Sequence, residues 1–239
     1  METVAELRRR GTPFRFVTNT TRRSRSALVE RLRGYGFAVE PAEVFTSVMA
    51  GLALLRERRI TRIAPFVAES TLEDLAELEL LGGTAPGARP GSGVPEAVIV
   101  GDLGSQWTPT LLNEAFRYVL DGALLVALQK DRYWLGATGL ELDAGAYVAA
   151  IEYATGAEAI VCGKPRGTFY PAALATLGAG APASAVMVGD DLWADVAGAQ
   201  RAGLQGWLVR TGKFRQDVLH RSGIVPDRVL DSIAGVLDT

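Results

Sequence analysis

Residues Ala185 to Val188 form a short apolar run that Gly189 breaks, and three carboxylates follow at Asp190, Asp191 and Asp195. A continuous run of that length reads as a strand buried on both faces, the strand type of parallel sheets. Val196, Ala199 and Gln200 then open a small-residue helical pattern that stops at Gly203. A buried strand turning straight into a helix directs the chain towards α/β folds, whose ligands bind at the carboxyl ends of the strands. Asp190 and Asp195 lie five residues apart across that turn, near enough to share one hard cation. Magnesium takes one or two carboxylates and completes its shell from phosphate oxygens and water. Taken alone, the run reads first as a solvated turn in which Asp195 caps a helix.

Two further strand ends favour the chemical reading. Phe14-Arg-Phe-Val-Thr-Asn-Thr-Thr21 is an apolar strand ending in hydroxyl and amide groups, followed by a helix with Leu28 and Leu32 on one face. Thr18 and Asn19 are expected beside the orphan amides of a helix start, a ready anion site; an ordinary cap or Asx-turn is the alternative. Ile160-Val-Cys-Gly-Lys-Pro165 repeats the pattern with a cation at the strand end. Lysine is scarce, with Lys130, Lys164 and Lys213 the only three. A compact ammonium in that position suits a phosphate oxygen or a neighbouring carboxylate.

Strand and helix patterns alternate along the chain. Strand-like segments are Arg15–Thr18, Ile63–Val67, Ala97–Val100, Ala123–Leu128, the run from Ile160, Ala185–Val188 and Trp207–Val209. Between them, helices are predicted over Ser24–Tyr35, Val48–Arg58, Thr71–Leu81, Pro109–Leu120, Ala144–Ala154, Thr168–Leu177 and Asp195–Ala202. Glu2–Arg10 reads as a further helix, with Arg8, Arg9 and Arg10 on its solvated face. Gly82–Pro95, rich in Gly and Pro without periodicity, is predicted to be an exposed loop. This alternation predicts an α/β protein built on a doubly wound parallel sheet.

Composition narrows the function classes. With net charge −2 and interspersed signs, the chain shows neither a nucleic-acid patch nor a polybasic membrane signal. A single cysteine, Cys162, in a buried-type strand argues against a disulfide framework and fits a reducing cytoplasm. Gly206-Trp-Leu-Val-Arg-Thr-Gly212-Lys213 imitates a P-loop but has one residue too many between its glycines, and Phe214 replaces the magnesium-binding hydroxyl. The one histidine, His220, stands in polar surroundings, and no Gly-x-Ser-x-Gly elbow is present, so a serine triad or histidine-based metal site has no support. Asp102, closing Val98-Ile-Val-Gly101, reads as a solvated turn before it reads as a substrate contact.

In order and spacing, Thr18-Asn19, Gly163-Lys-Pro165 and Gly189-Asp-Asp191 resemble motifs two, three and four of the haloacid dehalogenase superfamily of phosphotransferases. Phe16-Val-Thr-Asn-Thr-Thr21, Ile151-Glu-Tyr-Ala154, Val188-Gly-Asp-Asp191 and Arg210-Thr-Gly-Lys-Phe214 extend the likeness to the capped IIA phosphatases of that superfamily. The resemblance implies a Rossmann-like core of residues 1–46 and 160–239, with an inserted α/β cap over residues 47–159. It implies a magnesium-dependent phosphatase acting on small phosphate esters through an aspartyl-phosphate. By resemblance, Thr18 donates its hydroxyl to phosphate, Asn19 helps bind it, and Lys164 neutralises phosphate and nucleophile. Asp190 ligates Mg2+, Asp195 supports it from outside the ligand set, and Asp191 is a further candidate. Tyr133, Trp134 and Asp143 are cap residues that could meet the leaving group, and a homodimer is one assembly the resemblance allows.

One departure stands against these matches. The family's nucleophile and general acid are two aspartates in an Asp-x-Asp-x-Thr-type motif on the first core strand, and no Asp-x-Asp occurs in this sequence. A strand, its crossover helix and the next strand need roughly 30 residues, whereas thirteen precede Phe14. The chain is therefore expected to be N-terminally truncated and inactive as it stands. Scarce lysine beside abundant Ala, Arg and Gly suggests a GC-rich genome, where a start misassigned to Met1 would account for this. The alternative is a non-catalytic protein that keeps a phosphate or magnesium pocket for binding or assembly.

Overall fold

The computed structural model describes residues 1–87, 93–136, 139–178 and 181–238. Its contacts divide the chain into two compact units. Unit 1 comprises Met1–Val17, Arg31–Glu43 and Lys164–Thr239; unit 2 comprises Thr18–Glu30 and Val44–Gly163. The chain thus leaves unit 1 twice, for Thr18–Glu30 and for Val44–Gly163.

Helices α1 (Glu2–Arg9) and α2 (Arg25–Gly34) flank strand β1 (Phe16–Thr18), and β2 (Val44–Thr46) leads into α3 (Ser47–Glu57). Unit 2 then builds an all-parallel sheet from β3 (Arg62–Phe66), β4 (Glu79–Leu80), β5 (Ala97–Val100) and β6 (Leu124–Ala127). The last strand, β9 (Ile160–Val161), follows the hairpin β7 (Tyr133–Gly136) and β8 (Gly139–Leu142). The sheet order is β4-β3-β5-β6-β9. All four residues of β5 are fully buried, the reason its sequence is an unbroken apolar run rather than an alternation. Helices α4 (Pro109–Leu120) and α5 (Ala144–Thr155) supply Ala115, Tyr118, Val119, Val148 and Ile151 to the core with Phe66, Val98, Val100 and Leu125. Caps set where these helices begin: Thr108 accepts the Leu111 amide and Asp143 the Ala144 amide.

Unit 1 carries a second parallel sheet, β10 (Val186–Gly189), β11 (Gln205–Val209) and β12 (Arg228–Leu230), with Val188 opposite Trp207 and Leu208 opposite Val229. Its core of Leu192, Val196 and Leu208 is covered by Phe214, Val218, Leu219, Ile224 and Val229. Helix α6 (Phe169–Leu177) precedes β10, α7 (Gly198–Arg201) follows it, and α8 (Gln216–Ser222) follows β11.

Three local expectations change. Thr71–Leu81 is a 3-10 helix over Glu69–Leu75 followed by β4, because the amides of Glu79 and Leu81 bond to the Thr61 and Ile63 carbonyls of the neighbouring strand. The predicted helix Asp195–Ala202 begins earlier, as a π-helical turn over Leu192–Ala197 leading into α7. Its cap is Asp191 rather than Asp195: Asp191 Oδ1 accepts the Trp193 and Ala194 amides at 3.1 and 2.9 Å. The β7–β8 hairpin has no counterpart among the predicted strands, and residues 88–92 of the predicted Gly82–Pro95 loop lie outside the described residues. Among the described residues, no helix is long and apolar enough to cross a membrane.

Candidate active site

In unit 1 the end of β10 delivers the acidic cluster. Lys164 Nζ donates to Asp195 Oδ1 at 2.7 Å, with the two side chains only 10% and 7% exposed. Of the two partners the sequence offered this ammonium, the structure shows the neighbouring carboxylate. Asp195 Oδ2 accepts the Asp191 amide at 3.1 Å, and Gly189 makes room for it, since a β-carbon there would overlap the carboxylate. Lys164 also lies 5.9 Å from the ring centroid of the buried Phe169.

Asp190 is held from the following loop. Its Oδ2 accepts the Lys213 amide at 2.8 Å, while Gly212, at φ +55°, approaches so closely that a β-carbon would overlap the same oxygen. Lys213 Nζ pairs with Asp191 Oδ2 at 2.9 Å. Both Asp191 oxygens are therefore engaged, one in the helix cap and one with the ammonium. Burial acts to raise the Asp191 carboxyl, but the Ala194 amide and the Lys213 ammonium outweigh it and hold the group below the ordinary aspartate range. The Gly212–Lys213 turn belongs to the segment that imitated a P-loop in sequence; in the structure it positions carboxylates.

Thr18 and Asn19 belong to unit 2. Thr18 Oγ1 accepts the Thr20 amide and donates to Thr20 Oγ1, both at 3.1 Å, a hydroxyl-closed turn at the end of β1. The Asn19 carbonyl accepts from Ser47 Oγ at 3.3 Å. Gly163 lies against the Asn19 side chain, where an added β-carbon would stand 2.9 Å from Oδ1. The amides at the start of α2 are met by other groups: Ser24 Oγ accepts from Ala27, and Asp74 Oδ2 from Arg25.

The remaining residues singled out in sequence separate clearly. Asp102 is 8% exposed and ion-paired to Arg22, not solvated. Asp143 is buried and bonded to Gln129 and the Ala144 amide. Burial pushes its carboxyl above the ordinary aspartate range, reinforced by the Asp102 charge. Tyr133 is exposed. Trp134 lies under the Arg22 guanidinium. Cys162 is fully buried and burial raises its thiol to about 12, so it behaves as a small core hydrophobe. His220 is exposed beside Gln216. Sequence reasoning missed Arg22 and the part played by Gly212; a positive-φ glycine leaves no signal distinct from any other turn.

No group of three or more His, Cys, Asp and Glu that could hold a metal occurs among the described residues. Magnesium does not require one, because phosphate oxygens and water supply most of its shell. Asp190 suits that pattern: Oδ2 is fixed by Lys213, whereas Oδ1 accepts no hydrogen bond from a described residue. A carboxylate oxygen is a hard donor, suited to hard cations rather than to softer metals.

Parallel sheets with helices between their strands, and acids and a lysine at strand ends, define a Rossmann-like α/β architecture, whose ligands bind at the carboxyl ends of the strands. The haloacid dehalogenase-like hydrolase family model matches residues 1–80, and the HAD-hydrolase-like model matches residues 161–236. Haloacid dehalogenase-like hydrolase domain-containing protein 2 of Rattus norvegicus is 41% identical over 90% of this chain and 77% of its own length. The phospholysine phosphohistidine inorganic pyrophosphate phosphatase of Bos taurus is 35% identical over 100% of this chain and 84% of its own. Among solved structures, p-nitrophenyl phosphatase from Archaeoglobus fulgidus superposes with a TM-score of 0.88 at 29% identity, covering 99% of this chain and 90% of that one. The chain belongs to the haloacid dehalogenase-like hydrolase family, among its capped IIA phosphatases.

Proposed function

We propose that this chain forms the phosphate- and magnesium-binding part of a phosphatase that hydrolyses small phosphate esters through an aspartyl-phosphate. The observation that carries the proposal is the buried Lys164–Asp195 pair beside an Asp190 carboxylate fixed on one oxygen and open on the other. In this reading residues 1–46 and 160–239 are the core and residues 47–159 the cap; the setting is cytoplasmic, and a homodimer is allowed.

The residue roles follow the motif resemblance. Thr18 donates its hydroxyl to the phosphoryl group and Asn19 binds it through backbone or side chain. Lys164, oriented by Asp195, places a fixed positive charge against phosphate oxygens, acting most strongly where charge accumulates in the transition state. Asp190 would hold Mg2+, while Asp195 keeps Lys164 and the Asp191 amide in place. Bound magnesium would supply Lewis-acid neutralisation of the phosphoryl oxygens. Asp191 serves the cap and Lys213, which leaves it less free for the metal.

The covalent carboxylate is not among these 239 residues, because they contain no Asp-x-Asp. That observation favours a second reading, a protein that binds phosphate and magnesium without turnover. The test assays the 239-residue chain, and the same chain extended upstream by a strand bearing Asp-x-Asp-x-Thr, against p-nitrophenyl phosphate with and without chelator. The proposal expects binding without turnover in the first and chelator-sensitive turnover in the second. If the extended chain binds phosphate but never turns over, the binding reading stands instead. Turnover by the shorter chain that survives chelator sinks the mechanism.

A further inference from the structure

Arg22 lies three residues beyond Asn19 in the same unit, so their Cα atoms are at most about 11 Å apart. Its guanidinium is fixed on several sides. Nε donates to Asp102 Oδ2 at 2.5 Å and Nη2 to Oδ1 at 3.2 Å. The Trp134 ring lies beneath it, 4.6 Å from Cζ. Gly104, at φ +51°, yields space to Nη2 that a β-carbon would fill.

Asp102 is itself locked. Its amide donates to Thr21 Oγ1 at 2.9 Å, and its Oδ1 accepts the Gly104 amide at 2.9 Å. Ser70 Oγ bonds to the Arg22 carbonyl at 2.8 Å, and Thr71 Oγ1 to the Thr21 carbonyl at 2.7 Å. One edge stays open. No described residue bonds to Nη1, and the side chain is 39% exposed although the Asp102 side chain is only 10% exposed. The Trp134 indole Nε1 beneath it is buried and also without a partner among the described residues.

With Nε and Nη2 held by Asp102, the Nη1 edge is left available to a further acceptor. A planar cation whose rotamers are already fixed loses little entropy on meeting an oxyanion, and its fork matches carboxylate and phosphate alike. We propose that Arg22 is a specificity-determining residue that takes a second oxyanion, carboxylate or phosphate, on the leaving group of an ester whose phosphoryl group is held at Thr18 and Asn19. The inference rests on the phosphate-binding reading above and extends it to the substrate class.

The experiment measures binding calorimetrically on the full 239-residue chain in magnesium, with methyl phosphate, phosphoglycolate and methylenediphosphonate. At least one of the two ligands with a second oxyanion should bind about tenfold tighter than methyl phosphate, and the larger gain identifies carboxylate or phosphate as the preferred group. Arg22→Gln should abolish that gain while leaving methyl phosphate within about twofold of wild type. If Arg22→Gln does not fold, Arg22→Lys carries the comparison: it keeps the charge, loses the planar fork and should cut the gain at least about threefold.

Equal weakening of all three ligands would mark Arg22 as structural and overturn the proposal, as would an unchanged gain in Arg22→Lys. If methyl phosphate binds wild type and a second oxyanion adds nothing, the Arg22 inference alone falls. If methyl phosphate does not bind, the phosphate-site reading falls and takes this inference with it.

Discussion

Gly212 stands so close to Asp190 that no side chain fits between them: at φ +55° its missing β-carbon would overlap Oδ2, while the next residue's amide donates to that oxygen at 2.8 Å. The loop after β11 thereby fixes one side of the carboxylate proposed to hold magnesium. Gly212→Ala should both strain the backbone, by about 1 kcal/mol, and push Asp190 out of place. Magnesium titration of the variant should show affinity weakened at least about tenfold, and wild-type affinity would refute the role assigned to Gly212.

Lys164 and Asp195 are buried together. Replacing Lys164 by Met strands the Asp195 charge, at a cost of about 3–5 kcal/mol. The double variant Lys164→Met/Asp195→Leu removes both charges and should recover at least half of that loss in thermal unfolding, yet bind methyl phosphate no better than Lys164→Met alone. Recovery of phosphate binding in the double variant would show that Lys164 serves the fold rather than the ligand.

Asp143 gives a pH signature. Its carboxyl is raised in the folded chain, chiefly by burial, so folding takes up a proton there. The stability associated with the protonated form is therefore lost as pH rises from the ordinary aspartate value through the raised one. Asp143→Asn keeps the cap acceptor and removes the titration. Its melting temperature relative to wild type should be higher at pH 7 than at pH 4, and an equal offset at both would contradict the assignment.

Cys162 should be chemically silent in the native chain. It is fully buried, with its thiol raised to about 12, and thiolate is the reactive form. A thiol reagent should label it only after denaturant unfolds the chain. Stoichiometric labelling under native conditions would show that unit 2 opens around β9.

Several elements were legible because they depend on local pattern. The buried run Ala97–Val100, the Pro-started helix Pro109–Leu120 and the strand–glycine–acid junction at Gly189 each follow from side-chain periodicity and backbone restriction. Thr71–Leu81 was misread because its apolar spacing is helical, while the amides of Glu79 and Leu81 found a strand edge only once β3 was in place. Asp191 rather than Asp195 caps the helix for the same kind of reason: the pattern places acids at a turn but does not say which one meets Lys164, 31 residues earlier.

The sequence by itself determined the α/β class, the strand-end positions of Thr18, Asn19, Lys164 and Asp190, and the family, since these rest on residue type and spacing along one chain. Tertiary structure decided the pairings: Lys164 with Asp195, Lys213 with Asp190 and Asp191, and Arg22 with Asp102, 80 residues away. Such contacts depend on which loops the packed sheets bring side by side, and a buried charge acquires its partner only when folding removes water from both.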